Sequence, residues 1–173
     1  KLSGGDTTYS NTLSFTFVVI GYSTTLPVLR NGAKLNDDIY ITNTVGDAFL
    51  GLYIIKKNKK ILNHKYFVNS FYLPNIPYKF GKKMCLFANA AIDISDGLFQ
   101  DINHLMENSK FAYDLDLNKI PISVNLAKYL KKNNKKKKSF VSNGDDYQIL
   151  FTAKKNKSNL IKRIAKKTNT LIT

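Results

Sequence analysis

Residues 13–20, LSFTFVVI, form an almost unbroken apolar run of β-branched and aromatic side chains. Its length and composition predict a buried strand, and a buried strand obliges the chain to build a sheet around it. Other segments read as strands too: DIYIT at 38–42, FAYDLDL at 111–117 and YQILFT at 147–152, with LFANAAIDI at 86–94 running into a turn at 93–97. Leu171-Ile172-Thr173 reads as the start of another. Between them, 48–55, 98–106, 126–130 and 158–167 place apolar residues at helical spacing. The stretch 56–83 is lysine-rich and broken by Pro74, Pro77 and Gly81, which predicts loop with weak helix. Strands and helices interleave along 173 residues, so the expected fold is α+β, with helices flanking one sheet.

Charge narrows the function classes. The chain carries 27 Lys+Arg against 12 Asp+Glu, a formal net charge of +15. Such a balance invites a nucleic-acid reading, but only Arg30 and Arg163 are arginine. Arginine forks onto phosphates and reads base edges, and no aromatic residues are interleaved with the lysine runs as stacking platforms. Solvated lysine loops are the expectation, with no specific nucleic-acid partner. No apolar run approaches the length of a membrane span, so no membrane partner is expected. One cysteine, Cys85, excludes an internal disulfide framework, and a cytoplasmic setting is expected.

The acids are more informative. Eleven of the twelve are Asp, and several sit beside glycine or serine: Gly5-Asp6, Gly46-Asp47, Asp93 with Ser95-Asp96-Gly97, and Gly144-Asp145-Asp146. Aspartate is a residue of turns, caps and metal sites rather than of helix surfaces. Short carboxylates held at turns in so basic a chain point to cation or phosphate chemistry.

Four segments in order, KLSGGDTTYS, LRNGAKLNDDIYITNTVGDAFLGL, AAIDISDGLFQD and VSNGDDYQILFTA, together resemble the successive motifs of bacterial thiamine-monophosphate kinase. That family belongs to the aminoimidazole ribonucleotide synthetase and selenophosphate synthetase superfamily. The resemblance implies a mixed β-sheet flanked by helices, as in the C-terminal domain of that superfamily, spanning 24–173. Residues 1–23 would be the end of the N-terminal domain, with its last strand. It also implies a chain that is the middle and rear of a longer one, lacking the front that carries the acidic metal site and most of the dimer contact.

The activity implied is ATP-dependent phosphorylation of thiamine monophosphate to thiamine diphosphate, with ATP and Mg²⁺ as the cofactors. By the resemblance, Asp6, Asp93 and Asp96 are metal ligands, and Gly5, Asp6, Arg30 and Ser95 contact ATP. Asp145 would face the cationic thiamine. The plainer alternatives are a turn for Asp6 and for Asp145, a surface position for Arg30, and a helix N-cap for Ser95 or Asp96. No general base is expected, because a phosphate monoester with a second pKa near 6 is already deprotonated at neutral pH. The partners implied are thiamine monophosphate, ATP and, through the N-terminal domain of a full-length enzyme, a second copy. A non-catalytic nucleotide or phosphate binder is the alternative function, and a lysine-driven nucleic-acid binder a third.

The sequence departs from the family pattern in places. Tyr9 stands where an arginine is usual, and Pro74–Lys79 lacks the family's arginines. Asn36, Asn43 and Asn143 replace glycines, and asparagine is the non-glycine residue most tolerant of positive φ.

Overall fold

The sheet is built from three strands in the order β1-β3-β2, where β1 is Asp37–Ile41, β2 is Ala88–Ile94 and β3 is Gln148–Lys154. In this computed structural model, which describes residues 3–23 and 25–173, both outer strands pair antiparallel with β3. Among the described residues the α-helices are α1 (Asp47–Lys57), α2 (His64–Tyr72), α3 (Tyr78–Gly81), α4 (Leu98–Ser109), α5 (Val124–Lys132), α6 (Lys138–Val141) and α7 (Ser158–Thr168). The fold is α+β, a small sheet covered by helices on both faces, as the interleaved patterns predict.

Register assigns the two faces. Ile39 lies opposite Thr152 and Ile41 opposite Leu150, with Ala90 and Ile92 on the far side of β3. That face packs against Leu98, Ile102, Leu105 and Met106 of α4, the residues at helical spacing in the sequence. The opposite face, with Tyr40, Phe151 and Ala153, packs against Ile161, Ile164 and Ala165 of α7. A third cluster joins α1, α2, α5 and α6 through Leu50, Ile54, Phe67, Leu126, Leu130 and Phe140. Gly51 sets the closeness of α1 and α2, because a Cβ there would fall 2.1 Å from the Phe67 carbonyl oxygen.

Three segments depart from the expectations. The stretch 56–83 holds a nine-residue helix, α2, whose sequence HKYFVNSFY is rich in strand formers. Its helicity comes from docking on α1 at Gly51, where tertiary packing overrides weak local propensity. Residues 111–117 alternate as a strand should, yet they find no strand partner. Tyr113 and Leu115 instead lie against the α4 face of the core as an extended cover. The third is LSFTFVVI. It forms no strand, and its large apolar side chains are 74–92% exposed, so the expected buried strand is absent among the described residues. A strand exists only when another backbone accepts its hydrogen bonds, and no described segment does so here.

Strand-like pairing does begin at the far end of the chain. Ile41 and Thr173 exchange both backbone hydrogen bonds, at 2.9 and 3.1 Å, and Thr42 bridges Ile172 antiparallel. No helix among the described residues is long and apolar enough to cross a membrane.

Because 3–23 bury nothing against the helices and sheet, deleting residues 1–23 is expected to leave Tm within roughly 2 °C of the full chain. Calorimetry of the two forms checks this, and a fall of about 5 °C or more would mean that the arm contributes packing.

Candidate active site

Two loops meet at the end of β2. The first, Ser95-Asp96-Gly97, turns the chain from β2 into α4. The second, Ser142 to Tyr147, leads into β3. The Asp145 N–H donates to the Ser95 carbonyl oxygen at 3.0 Å, and the Tyr147 N–H to that of Ile94 at 2.8 Å. Glycines make the approach possible. A Cβ on Gly144 would fall 1.7 Å from the Ser95 oxygen, and one on Gly97 would fall 2.4 Å from the Ser142 oxygen. Gly97 also has φ +125, a conformation that other residues rarely adopt. The second loop bends through two left-handed non-glycine residues, Asp145 (φ 68) and Tyr147 (φ 50).

Each loop is held from beneath by a buried aspartate. Asp101, in the first turn of α4, accepts the N–H groups of Ser95, Asp96 and Gly97 on a single oxygen, Oδ2, at 3.0–3.1 Å. Burial pushes its carboxyl up, while the backbone donors pull the other way. Asp146 reaches across the fold to the start of α1. Its carboxylate accepts from the Gly46 N–H at 2.7 Å and the Ala48 N–H at 3.3 Å. It thereby caps a helix that has no side-chain cap of its own. Burial pushes the Asp146 carboxyl up to about 7. Next to it, Asp47 accepts from the hydroxyls of Ser123 (2.7 Å) and Tyr66 (2.9 Å), and burial raises its carboxyl as well. Gln148 completes this layer, accepting from Asn43 and Thr42 and donating to the carbonyl oxygens of Asn75 and Asp146.

The expected site residues divide into two groups. Asp93, Ser95, Asp96 and Asp145 are brought together on the rim of the interlocked loops. Asp93 is exposed, lies opposite Ile149 in the sheet, and its carboxylate accepts no hydrogen bond from the described residues. Asp96 is exposed too, touched only by the Gln100 amide at 3.4 Å. Arg30 lines a shallow hollow of about 710 Å³ with Asp93, Met84 and Ile149, and none of Ser95, Asp96 and Asp145 borders it. The Arg30 segment is tied to β2 by the Ala91 N–H, which donates to Leu29 at 3.1 Å. Gly5 and Asp6 stand apart on the exposed arm, where Asp6 accepts only the N–H of Thr7. No group of three or more His, Cys, Asp or Glu among the described residues is arranged to hold a metal ion. Asp93 and Asp96 offer an unengaged and a nearly unengaged carboxylate, the ligand type an ion such as Mg²⁺ takes beside its own waters.

Asn36 and Asn43 do take positive φ, 63 and 48, as their replacement of glycine predicts; Asn143 does not, the left-handed turn falling on Asp145 and Tyr147. Cys85 is exposed, and His104 lies 4.0 Å from Glu107 on α4. The supporting residues Asp101, Asp146 and Gln148 escape a reading that looks for ligands. Their signal is positional: an aspartate four residues past the turn glycine, and a second aspartate behind Asp145.

The likeness to solved structures gives the chain the aminoimidazole ribonucleotide synthetase-like fold. The hydrogenase maturation protein HypE, solved in complex with ATP, shares that fold at a TM-score of 0.61 and 10% identity, over 79% of this chain. By sequence the chain is similar to part of the thiamine-monophosphate kinases. It is 35% identical to the enzyme of Buchnera aphidicola from Acyrthosiphon pisum over 96% of this chain and 52% of the relative. Against the Escherichia coli K12 enzyme the identity is 33%, over 88% of this chain and 47% of the relative. Among solved structures, the Stenotrophomonas maltophilia enzyme matches at a TM-score of 0.76 and 27% identity, covering 84% of this chain and 48% of its own. AaThiL, solved with AMPPCP and TMP, matches at 0.71 and 32%, covering 77% and 44%. The chain thus spans about half the length of the curated relatives it matches. No protein-family profile matches it.

Proposed function

We propose that this chain carries the rear half of a thiamine-monophosphate kinase site, transferring the ATP γ-phosphoryl group to thiamine monophosphate in the whole protein. The observation that carries the reading is the loop interlock, which sets Asp93, Ser95, Asp96 and Asp145 on one rim through the 3.0 Å bond from Asp145 to Ser95. In that reading Ser95 and Arg30 contact the nucleotide, and Asp145 places a carboxylate against the cationic thiazolium. Asp93 and Asp96 would hold Mg²⁺, which when bound supplies charge neutralisation to the triphosphate.

The acceptor phosphate needs no base, which accords with a rim of carboxylates, hydroxyl and guanidinium and no histidine. Gly5 and Asp6 would join ATP and metal once the arm, taken as the end of a preceding domain at residues 1–23, is packed in a whole enzyme. That preceding domain would carry the homodimer contact. A cytoplasmic location accords with these substrates.

The test is a titration of the chain with AMPPCP and thiamine monophosphate, with and without Mg²⁺, followed by backbone amide shifts. Shifts confined to 28–31, 93–97 and 142–147 are expected. Asp93→Asn should weaken Mg²⁺-dependent AMPPCP binding by at least about tenfold. Shifts centred elsewhere, or none at millimolar ligand, would overturn the assignment.

A further inference from the structure

We infer that Asp101 is a positioning residue for the Ser95-Asp96-Gly97 turn, a role that rests on the function proposed above and adds a residue that touches neither nucleotide nor metal. Asp101 is 2% exposed, and its carboxylate turns onto the backbone of the loop rather than to solvent. One of its oxygens collects three consecutive backbone N–H groups. Three donors converging on one buried oxygen fix three successive peptide planes. The orientation of those planes decides where the Ser95 and Asp96 side chains leave the backbone. The same clamp aims the Ser95 carbonyl oxygen at the Asp145 N–H, so the acceptor-side loop inherits its position from Asp101. The carboxylate and the turn it holds also lie on one element, since α4 keeps Asp101 in place through the Gly97 carbonyl oxygen, which accepts the Asp101 N–H at 3.0 Å.

An amide in place of the carboxylate can still turn one oxygen toward the three N–H groups, but it removes the negative charge that strengthens all three bonds. Asp101→Asn keeps the shape but brings an NH₂ group beside backbone donors. Asp101→Glu keeps the charge and shifts it by one methylene.

The experiment uses the full chain, with amide hydrogen exchange and Mg²⁺-dependent AMPPCP binding as paired readouts. In Asp101→Asn the amides of Ser95, Asp96 and Gly97 should exchange at least tenfold faster while those of β3 and α7 keep their protection. The Mg²⁺ concentration for half-maximal AMPPCP binding should rise about tenfold, the scale of losses when a partner of a metal ligand is removed. AMPPCP binding without Mg²⁺ should weaken less, since there only the Ser95 contact is disturbed, and the retained protection of β3 and α7 separates positioning from general loosening. Asp101→Glu should fall between wild type and Asp101→Asn on both readouts, and it decides the matter if Asp101→Asn does not fold. Unchanged protection of the three amides in a folded variant would overturn the inference. If the wild-type chain binds no Mg²⁺-AMPPCP, the proposed function fails, and the exchange readout still judges the clamp.

Discussion

Replacing Gly144 by alanine is expected to destabilise the chain by about 3 kcal/mol or more and to remove ligand-dependent shifts at the rim. The new methyl would sit 1.7 Å from the Ser95 carbonyl oxygen and 2.5 Å from its carbon, both main-chain atoms. A flexible side chain could swing aside, but these atoms are held from below by Asp101 and from beside by Asp145. The loops must therefore part, breaking the bonds from Asp145 to Ser95 and from Tyr147 to Ile94. Urea unfolding of the variant checks the energy, and amide shifts at 93–97 and 142–147 check the separation. A loss under about 1 kcal/mol would show that the loops are not locked together.

The second large effect is electrostatic. Asp146 is pushed from an ordinary 3.8 to about 7, first by burial, then by the neighbouring charges of Asp47 and Asp145, against the pull of the Gly46 and Ala48 N–H groups. Between about pH 4 and 7 the folded chain holds a proton that the unfolded chain has released. Stability therefore falls as pH rises through that window, by on the order of 3 kcal/mol from this group. Asp47 and Asp101 shift in the same direction and add to the trend. Repulsion among the lysines works the other way at low pH, so the measurement is a difference. Asp146→Asn compared with wild type by urea unfolding at pH 5 and pH 8 should gain on the wild type by about that amount across the interval. A difference that does not change with pH would mean Asp146 does not titrate there.

Much of this molecule is legible in its residues, for identifiable reasons. Helices α1, α4, α5 and α7 follow from spacing, because each buries one stripe, and β1, β2 and β3 follow as short apolar runs, because helices cover the sheet on both faces. Residues 13–20 and 111–117 mislead because local pattern specifies which side chains seek cover, not whether a second backbone lies beside them. Helix α2 is hidden for the converse reason, its helicity being imposed by a neighbour through Gly51. In the site, the rim residues announce themselves as acids at glycine turns. Asp101 and Asp146 carry the same letter and do opposite work: their carboxylates face inward and bind backbone. Nothing in composition separates an aspartate that offers its charge outward from one that spends it on amides, until the burial of each is known.

The cap on α1 has a bearing on how the chain is made. Gly46 and Ala48 receive their acceptor from a residue about a hundred positions later. During synthesis the first turn of α1 thus waits, its donors hydrated, until the segment around Asp146 has left the ribosome. At roughly 5–20 residues per second that is several seconds of delay. The two loops of the rim cannot interlock earlier either, since the second belongs to the same segment. The helices α1 and α2 can pair through neighbouring contacts meanwhile, so the nascent chain would hold a packed helical pair well before it holds a site.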